Sequence, residues 1–205
     1  MTDEEPAPRK GALLYTGKGD AGETGLLGGE RVPKWDVQPQ AYGAIDEASS
    51  AIGLARALAS SEETKEALVA AQRALYRIMA ELATSPEVEL DADMRISEAD
   101  VRQLEAQTDA FGARVSLGRE FVLPGETTAG AALDLARTTV RRAEREAARL
   151  AHERGIGGAA VLAYVNRLSS LLFVLERFED QLQGREARPA RIAGQPKRTA
   201  RNRTK

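Results

Sequence analysis

The chain has 205 residues, a net charge of −2, no cysteine and a single histidine. This length is enough for one domain with its own hydrophobic core, while the lack of cysteine excludes disulfide bonds and thiolate metal sites. A zinc site built from several histidines is also excluded. No stretch approaches the roughly 18 apolar residues that span a bilayer, and the acidic start is unlike a targeting peptide, so a cytoplasmic location is expected.

Residues 16–24 concentrate glycine, hydroxyl and charged side chains in a segment that has little to bury. Glycines permit sharp turns and let backbone N–H groups approach an anion closely, and Lys34 downstream adds a point charge suited to phosphate. Gly17, Gly19 and Gly22 match a dinucleotide-binding fingerprint, but a second loop follows where that fingerprint requires a helix. Two alternatives remain for this segment: a phosphate-binding loop and a floppy N-terminal arm.

Apolar residues at intervals of three and four predict helices in the rest of the chain. The first is expected at about residues 38–59 and the second at about 62–83. Ser97 marks the start of a third helix, because a serine followed by acidic residues caps a helix N-terminus. The helical pattern is interrupted at residues 121–125, where proline and glycine require a turn.

The fourth helix, expected at about residues 128–154, carries the side chains best suited to an anionic ligand. Arg137 and Arg141 share one face with Glu144, and Arg142 and Arg145 lie to the side of that face. The alternative is a set of exposed ion pairs, each worth only a few tenths of a kcal/mol. Arg137 lies close to the small apolar side of the helix, and a buried arginine needs a partner, for which Asp46, on the inward side of the first helix, is the candidate.

The fifth helix, expected at about residues 159–183, is apolar nearly all round and therefore belongs in the middle of the domain. Asn166 interrupts it, either to satisfy a backbone group, to fix helix register or to bind a polar ligand. Residues 185–205 carry eight basic side chains and one acid, a net +7, and are predicted to be a disordered tail. A solvated extension is favoured over a nucleic-acid contact.

These elements predict an all-α fold: a five-helix up-and-down bundle with a glycine-rich N-terminal arm and a disordered basic C-terminal tail. The expected division is a flexible N-terminus at residues 1–11, the bundle domain at 12–184 and the tail at 185–205. We expect no membrane association.

Several sequence blocks, in order and spacing, resemble the PduO-type ATP:cob(I)alamin adenosyltransferase family. They lie at residues 16–24, 29–34, 41–47, 121–125, 136–145, 166–169 and 172–174. The resemblance implies a homotrimeric helical bundle with active sites between subunits, in which the N-terminal arm orders over ATP and Mg²⁺ bridges the phosphates. It implies no side-chain metal ligand.

The resemblance also implies roles for individual residues. Those expected to contact ATP are Thr16, Gly17, Lys18, Gly19, Thr24, Gly25, Lys34, Arg141, Arg142, Glu144, Arg145 and Asn166. Lys34, Arg141 and Phe121 are the expected catalytic residues, with Phe121 on the lower face of the corrinoid. Arg137 is expected to pair with Asp46 and to hold the corrinoid pocket across the subunit interface.

The implied reaction needs no protein nucleophile, since cob(I)alamin itself attacks the ribose C5′ of ATP and triphosphate leaves. A corrinoid reductase and an adenosylcobalamin-dependent enzyme are possible partners. The chain departs from the family pattern at four positions: Ser49, Glu126, Asp134 and Ser170. Several of these cluster where the corrinoid pocket is expected, so the alternative is a non-catalytic sensor or carrier that binds ATP and corrinoid.

Overall fold

The computed structural model describes residues 17–118 and 120–191. Its five long helices are α1 (Val37–Leu58), α2 (Glu62–Ala83), α3 (Glu98–Gly112), α4 (Thr128–Arg154) and α5 (Ala159–Leu182). α1 packs against α2 and α4, and α5 packs against α3 and α4. The predicted helical bundle is therefore confirmed. Thr16 and residues 1–11 lie outside the described residues.

The helices begin where the sequence supplies a cap. The Asp36 carboxylate accepts the Gln38 N–H at the start of α1, and Ser61 does the same for Thr64 at the start of α2. Ser97 and Asp100 form a reciprocal capping box at α3. Thr127 caps α4 by accepting the Gly130 N–H at 2.9 Å. These side chains fix the helix starts that the periodicity predicted.

The core lies along the inner faces of α1, α2, α4 and α5. Ile45, Leu75 and Val140 have no exposed surface, and neither do Leu168 and Leu172 of α5. Within the described residues, α5 is long and apolar enough by length and composition to cross a membrane, which corrects the expectation that no stretch comes close. Its apolar side chains pack inside the bundle, as expected for the central helix of a domain.

The N-terminal arm forms a β-hairpin that the sequence reading did not predict. β1 (Glu23–Gly25) pairs antiparallel with β2 (Arg31–Pro33), with Thr24 opposite Val32. Val32 and Leu26 are 6 % exposed, so the hairpin is anchored to the domain by two apolar side chains. Strand pairing and burial favour an ordered loop over a floppy arm for residues 17–35.

A second strand pair joins the start of the basic tail to the turn before α4. β3 (Val122–Leu123) pairs antiparallel with β4 (Arg188–Pro189), with Leu123 opposite Arg188. The prediction that disorder begins at residue 185 is therefore wrong for residues 188–189, because their backbone is engaged in this pair. Residues 192–205 of the predicted tail lie outside the described residues.

Candidate functional site

A cavity of about 630 Å³ opens between the 117–124 loop, α4 and α5. Phe121 comes from the loop, Arg137 and Arg141 come from α4, and Ser170 and Glu176 come from α5. The cavity thus brings together three residues that the sequence analysis assigned to the site, although they are up to 20 positions apart in the chain. Arginines beside apolar and hydroxyl side chains suit a large ligand that carries both apolar and anionic groups.

Phe121 projects into solvent at the edge of this cavity. Its ring is 91 % exposed, the highest value among the large apolar side chains of the described residues. Burying such a ring on a ligand or a second subunit would be favourable. A ring left exposed at a loop tip is therefore consistent with the predicted contact to the face of a flat apolar ligand.

Arg137 pairs with Asp134 of its own helix and not, within this chain, with Asp46. The Arg137 Nη2 atom lies 2.7 Å from the Asp134 carboxylate, and both side chains are partly buried. Asp46 is exposed on α1. The expectation that Asp46 faces inward and satisfies Arg137 is wrong for the single chain, because a carboxylate one helical turn away already neutralises the guanidinium.

The other α4 arginines differ in how far they are engaged. Arg142 pairs with Glu47 of α1, and Arg145 donates to the Arg141 carbonyl at 2.9 Å. The Arg141 side chain is exposed and forms no ion pair with any residue between 17 and 191 that the structure describes. Of the three, Arg141 is the guanidinium that lines the cavity and has its donors available.

Two further residues assigned to the site, from different helices, are hydrogen-bonded to each other. The Asn166 side-chain amide donates to the Glu144 carboxylate at 2.7 Å, which joins α5 to α4. Arg167 donates to the side-chain amide oxygen of Asn166 at 2.8 Å and also pairs with Glu105 of α3. The contact orients both polar groups beside the arginines. The Asn166 side chain therefore contacts a side chain of the neighbouring helix and not a backbone group, which is the kind of contact that fixes helix register.

The glycine-rich loop is shaped by its own backbone. The Asp20 N–H donates to the Gly17 carbonyl at 3.1 Å, and the Lys34 N–H donates to the Gly22 carbonyl at 2.8 Å. An added Cβ at Gly19 would lie 3.2 Å from the Lys34 ammonium nitrogen, so the lysine side chain packs closely against this glycine. Lys34 and Gly19, both assigned to the nucleotide, are thus brought together.

Arg31 braces the same loop from the second strand. It donates to the Lys18 carbonyl at 2.8 Å and pairs with Glu23 at 3.2 Å. The sequence reading did not single out Arg31, because a lone arginine next to a predicted turn carries no spacing signal. Thr24 and Gly25 form part of β1 within the same hairpin.

The loop and the cavity lie toward different parts of α4. Asp36, directly after the hairpin, pairs with Arg154 at the end of α4 at 2.5 Å. Arg154 is about 20 Å along the helix axis from Arg141, at about 1.5 Å per residue. The point where the hairpin joins α1 therefore lies near the end of α4, well away from the part of α4 that carries Arg141.

A buried charged group beside the cavity was missed by the sequence analysis, which read this part of α5 as apolar. Its members are Glu176, Arg177, Glu179 and Asp180, all at most 3 % exposed. Ser60 and Ser61 donate to Glu179, and Arg177 donates to Asp180 at 2.7 Å. Four charges within five residues of an apolar helix were the available signal, since charges are rarely buried without partners.

Glu176 is the member of this group that lines the cavity. Neither of its buried carboxylate oxygens has a hydrogen-bond partner, and the nearest Arg177 nitrogen is 3.9 Å away. Burial, and next the Asp134 carboxylate, raise the pKa of Glu176 to about 7, with Asp180 adding to the shift and Arg177 and Arg137 opposing it. The carboxyl therefore titrates close to neutral pH.

The ionisation of Glu176 predicts a pH-dependent stability. Its pKa is about 7 in the folded chain against an ordinary value of 4.5, so the unfolded chain loses this proton first as pH rises. This difference in pKa lowers the free energy of unfolding as the pH rises from 4.5 to about 7, and the free energy stays at the lower value above that range. Glu176→Gln should gain stability relative to wild type as the pH rises from about 5 to about 8, measured by urea unfolding.

The test depends on how the difference in free energy of unfolding between Glu176→Gln and wild type changes with pH. The buried glutamine itself shifts that difference by the same amount at every pH. Glu66→Gln, which alters an exposed carboxylate on α2, is the matched control and should show no such change. A difference for Glu176→Gln that stays constant across the range would contradict the assignment.

The four departures from the family pattern occupy different environments. Asp134 and Ser170 line the cavity, Glu126 pairs with Arg188 of β4 at 3.0 Å, and half-buried Ser49 accepts a hydrogen bond from Gln72 through its carbonyl. Two of the four therefore contribute directly to the cavity wall. Within the described residues, no group of three or more His, Cys, Asp or Glu side chains could hold a metal ion.

Comparison with known proteins gives one consistent result. Residues 14–179 match the family model for cobalamin adenosyltransferase. A corrinoid adenosyltransferase PduO from Salmonella typhimurium is 40 % identical over 167 residues, which are 82 % of this chain and 49 % of that protein. The chain thus spans about half the length of this relative. A corrinoid adenosyltransferase from Mycobacterium tuberculosis is 41 % identical over 169 residues, covering 80 % of this chain and 86 % of that protein.

A solved structure agrees with these sequences. It is a phenylalanine-to-alanine variant of a PduO-type ATP:corrinoid adenosyltransferase from Lactobacillus reuteri, complexed with cobalamin and ATP. It superposes with a TM-score of 0.79 at 31 % identity and covers 87 % of this chain and 99 % of its own.

Proposed function

Because the chain belongs to the cobalamin adenosyltransferase family, we propose that it transfers the 5′-deoxyadenosyl group of ATP to cob(I)alamin. The observation that carries the proposal is the cavity in which exposed Phe121 and the uncommitted Arg141 lie together. In the reaction the Co(I) electron pair forms the cobalt–carbon bond to C5′. The C5′–O bond breaks, and triphosphate leaves with its electron pair.

The protein's part in this reaction is to position two substrates and to stabilise charge on the leaving group. We assign Arg141 and Lys34 to the triphosphate, whose remaining negative charge a bound Mg²⁺ would help to neutralise. Phe121 covers the lower face of the corrin ring and keeps an axial ligand away from cobalt. No residue acts as the nucleophile, since the corrinoid performs that role.

We further propose that the active enzyme is a homotrimer whose sites lie between subunits. The separation of Asp36 and its loop from Arg141 along α4 supports an arrangement in which one copy supplies the loop and another the arginine. Asp46 is exposed on α1 and so is accessible to Arg137 of a neighbouring copy. A cytoplasmic location, a corrinoid reductase and an adenosylcobalamin-dependent acceptor enzyme belong to the same proposal.

The test is a spectroscopic assay with purified protein, ATP, Mg²⁺ and chemically reduced cobalamin. The expected result is the light-sensitive spectrum of adenosylcobalamin, with free triphosphate formed in equal amount. Adenosine monophosphate is the matched control, because it offers the same C5′ but no triphosphate leaving group, and it should give no product.

Two outcomes contradict transferase activity. Tight binding of ATP or adenosylcobalamin without turnover favours the sensor or carrier, an alternative that the altered cavity residues Asp134 and Ser170 motivate. Failure to bind either ligand would reject both functions for this chain.

A further inference from the structure

The chain continues past its family match and returns to the wall of the cavity. The match ends at residue 179, and α5 ends three residues later at Leu182. The Arg185 N–H then donates to the Asp180 carbonyl at 2.9 Å, which turns the chain back. Residues 187–191, here called the C-terminal strap, run from this turn along the loop that bears Phe121.

The strap binds that loop through both backbone and side chains. Beyond the β3–β4 pair, the Ala190 N–H donates to the Phe121 carbonyl at 2.8 Å. The Arg188 guanidinium lies 3.0 Å from the Glu126 carboxylate, whose side chain is only 17 % exposed. The departure at Glu126 thus has a structural partner in a segment outside the family match.

The other end of the loop is also tied to the C-terminal part of α5. The Gln181 side-chain carbonyl accepts the Ser116 N–H at 3.2 Å. Since the Phe121 ring is 91 % exposed, its own packing contributes little to its position. The orientation of the ring therefore depends on the backbone to which it is attached, and the strap is hydrogen-bonded to that backbone at Phe121 itself.

We propose that the C-terminal strap fixes the loop bearing Phe121 at the cavity and that Arg188 is a positioning residue for the large substrate bound there. The identity of that substrate, a corrinoid, rests on the proposed function. The strap acts through the loop backbone and touches no reacting atom. Pro189 suits an edge strand, because proline has no N–H and an edge strand needs no hydrogen-bond donor on its outer side.

The first test measures amide hydrogen exchange in the full-length protein, which needs no ligand. Ala190→Pro removes the N–H that donates to Phe121, and Arg188→Ala removes the ion pair. Exchange at residues 120–126 should rise about 2- to 10-fold in the first variant and about 2- to 5-fold in the second. Arg191→Ala, which alters an exposed neighbouring arginine, is the matched control and should leave the loop unchanged. Exchange at residues 17–35 should not change in any of them.

The second test separates the strap from the proposed function. In the transferase assay, Arg188→Ala should raise the KM for cob(I)alamin about 2- to 5-fold and leave the KM for ATP unchanged. The charge-swapped double variant, which combines Glu126→Arg with Arg188→Glu, should restore the wild-type KM for cob(I)alamin.

Unchanged amide hydrogen exchange of the loop in both single variants would overturn the proposal. Faster loop exchange with an unchanged KM for cob(I)alamin would overturn the positioning role. If wild type forms no product, the proposed function fails, while the exchange result still decides whether the strap holds the loop.

Discussion

Replacement of Arg141 by alanine is expected to lower kcat/KM for adenosyl transfer by about 10- to 100-fold. A hydrogen bond to a charged group contributes about 1.5–3 kcal/mol, and each factor of ten in rate corresponds to about 1.4 kcal/mol. Arg141 lines the cavity and is engaged in no ion pair with the described residues, so its donors are available to a leaving triphosphate. The reaction generates charge on that group, which makes the contact strongest in the transition state.

The matched control on the same helix is Arg149→Ala. Arg149 pairs with Glu153 at 2.7 Å on the exposed face, and its loss should leave kcat/KM within about twofold of wild type. Arg141→Lys should fall between the two, because an ammonium keeps the charge but cannot bind two phosphate oxygens in parallel. An unchanged rate for Arg141→Ala would remove this residue from the phosphate site. The cavity beside Phe121 would then be assigned to the corrinoid alone and not to the triphosphate.

The helices were predictable because local signals and burial agree. Ser97 caps α3 where the sequence placed its start, and the stripe that contains Ile45 and Ile52 is buried throughout α1. The contact between Glu144 and Asn166 joins α4 to α5, and no spacing pattern predicted it. Spacing along α4 placed Arg137, Arg141 and Glu144 on one face, while only the family resemblance assigned Glu144 and Asn166 to the same site.

The remaining features depend on partners that are distant in sequence or on competition between near neighbours. Nothing in Arg188 itself indicates that its partner is Glu126, 62 residues earlier. The sequence suggested Asp46 as the partner of Arg137, whereas Asp134 pairs with it because Asp134 lies one turn away on the same helix. The buried charges at the end of α5 were overlooked because a strongly apolar helix obscures the few positions that depart from its pattern.

Replacement of Asp180 by alanine is expected to lower the free energy of unfolding by about 3–5 kcal/mol, measured by urea denaturation. Asp180 is fully buried and accepts hydrogen bonds from Thr127 and Arg177, both at 2.7 Å. Its loss leaves the Arg177 guanidinium, 3 % exposed, with the carboxyl of Glu176, 3.9 Å away, as its remaining acidic partner among residues that the structure describes. The expected loss is large compared with a typical total stability of about 5–15 kcal/mol.

The same carboxylate joins the end of α5 to the start of α4, since Thr127 both donates to Asp180 and caps α4 through Gly130. An added Cβ at Gly130 would lie 2.5 Å from the Asp180 carboxylate, so the junction also depends on a residue without a side chain.

Asp180→Asn keeps the acceptor for Thr127 but removes the charge that balances Arg177, and it should lose an intermediate amount of stability. Arg149→Ala serves again as the control, with an expected loss below about 0.5 kcal/mol. A loss below about 1 kcal/mol for Asp180→Ala would mean that water or Glu176 replaces the carboxylate at little cost. Other contacts would then hold the start of α4 against the end of α5, and not the hydrogen bond between Thr127 and Asp180.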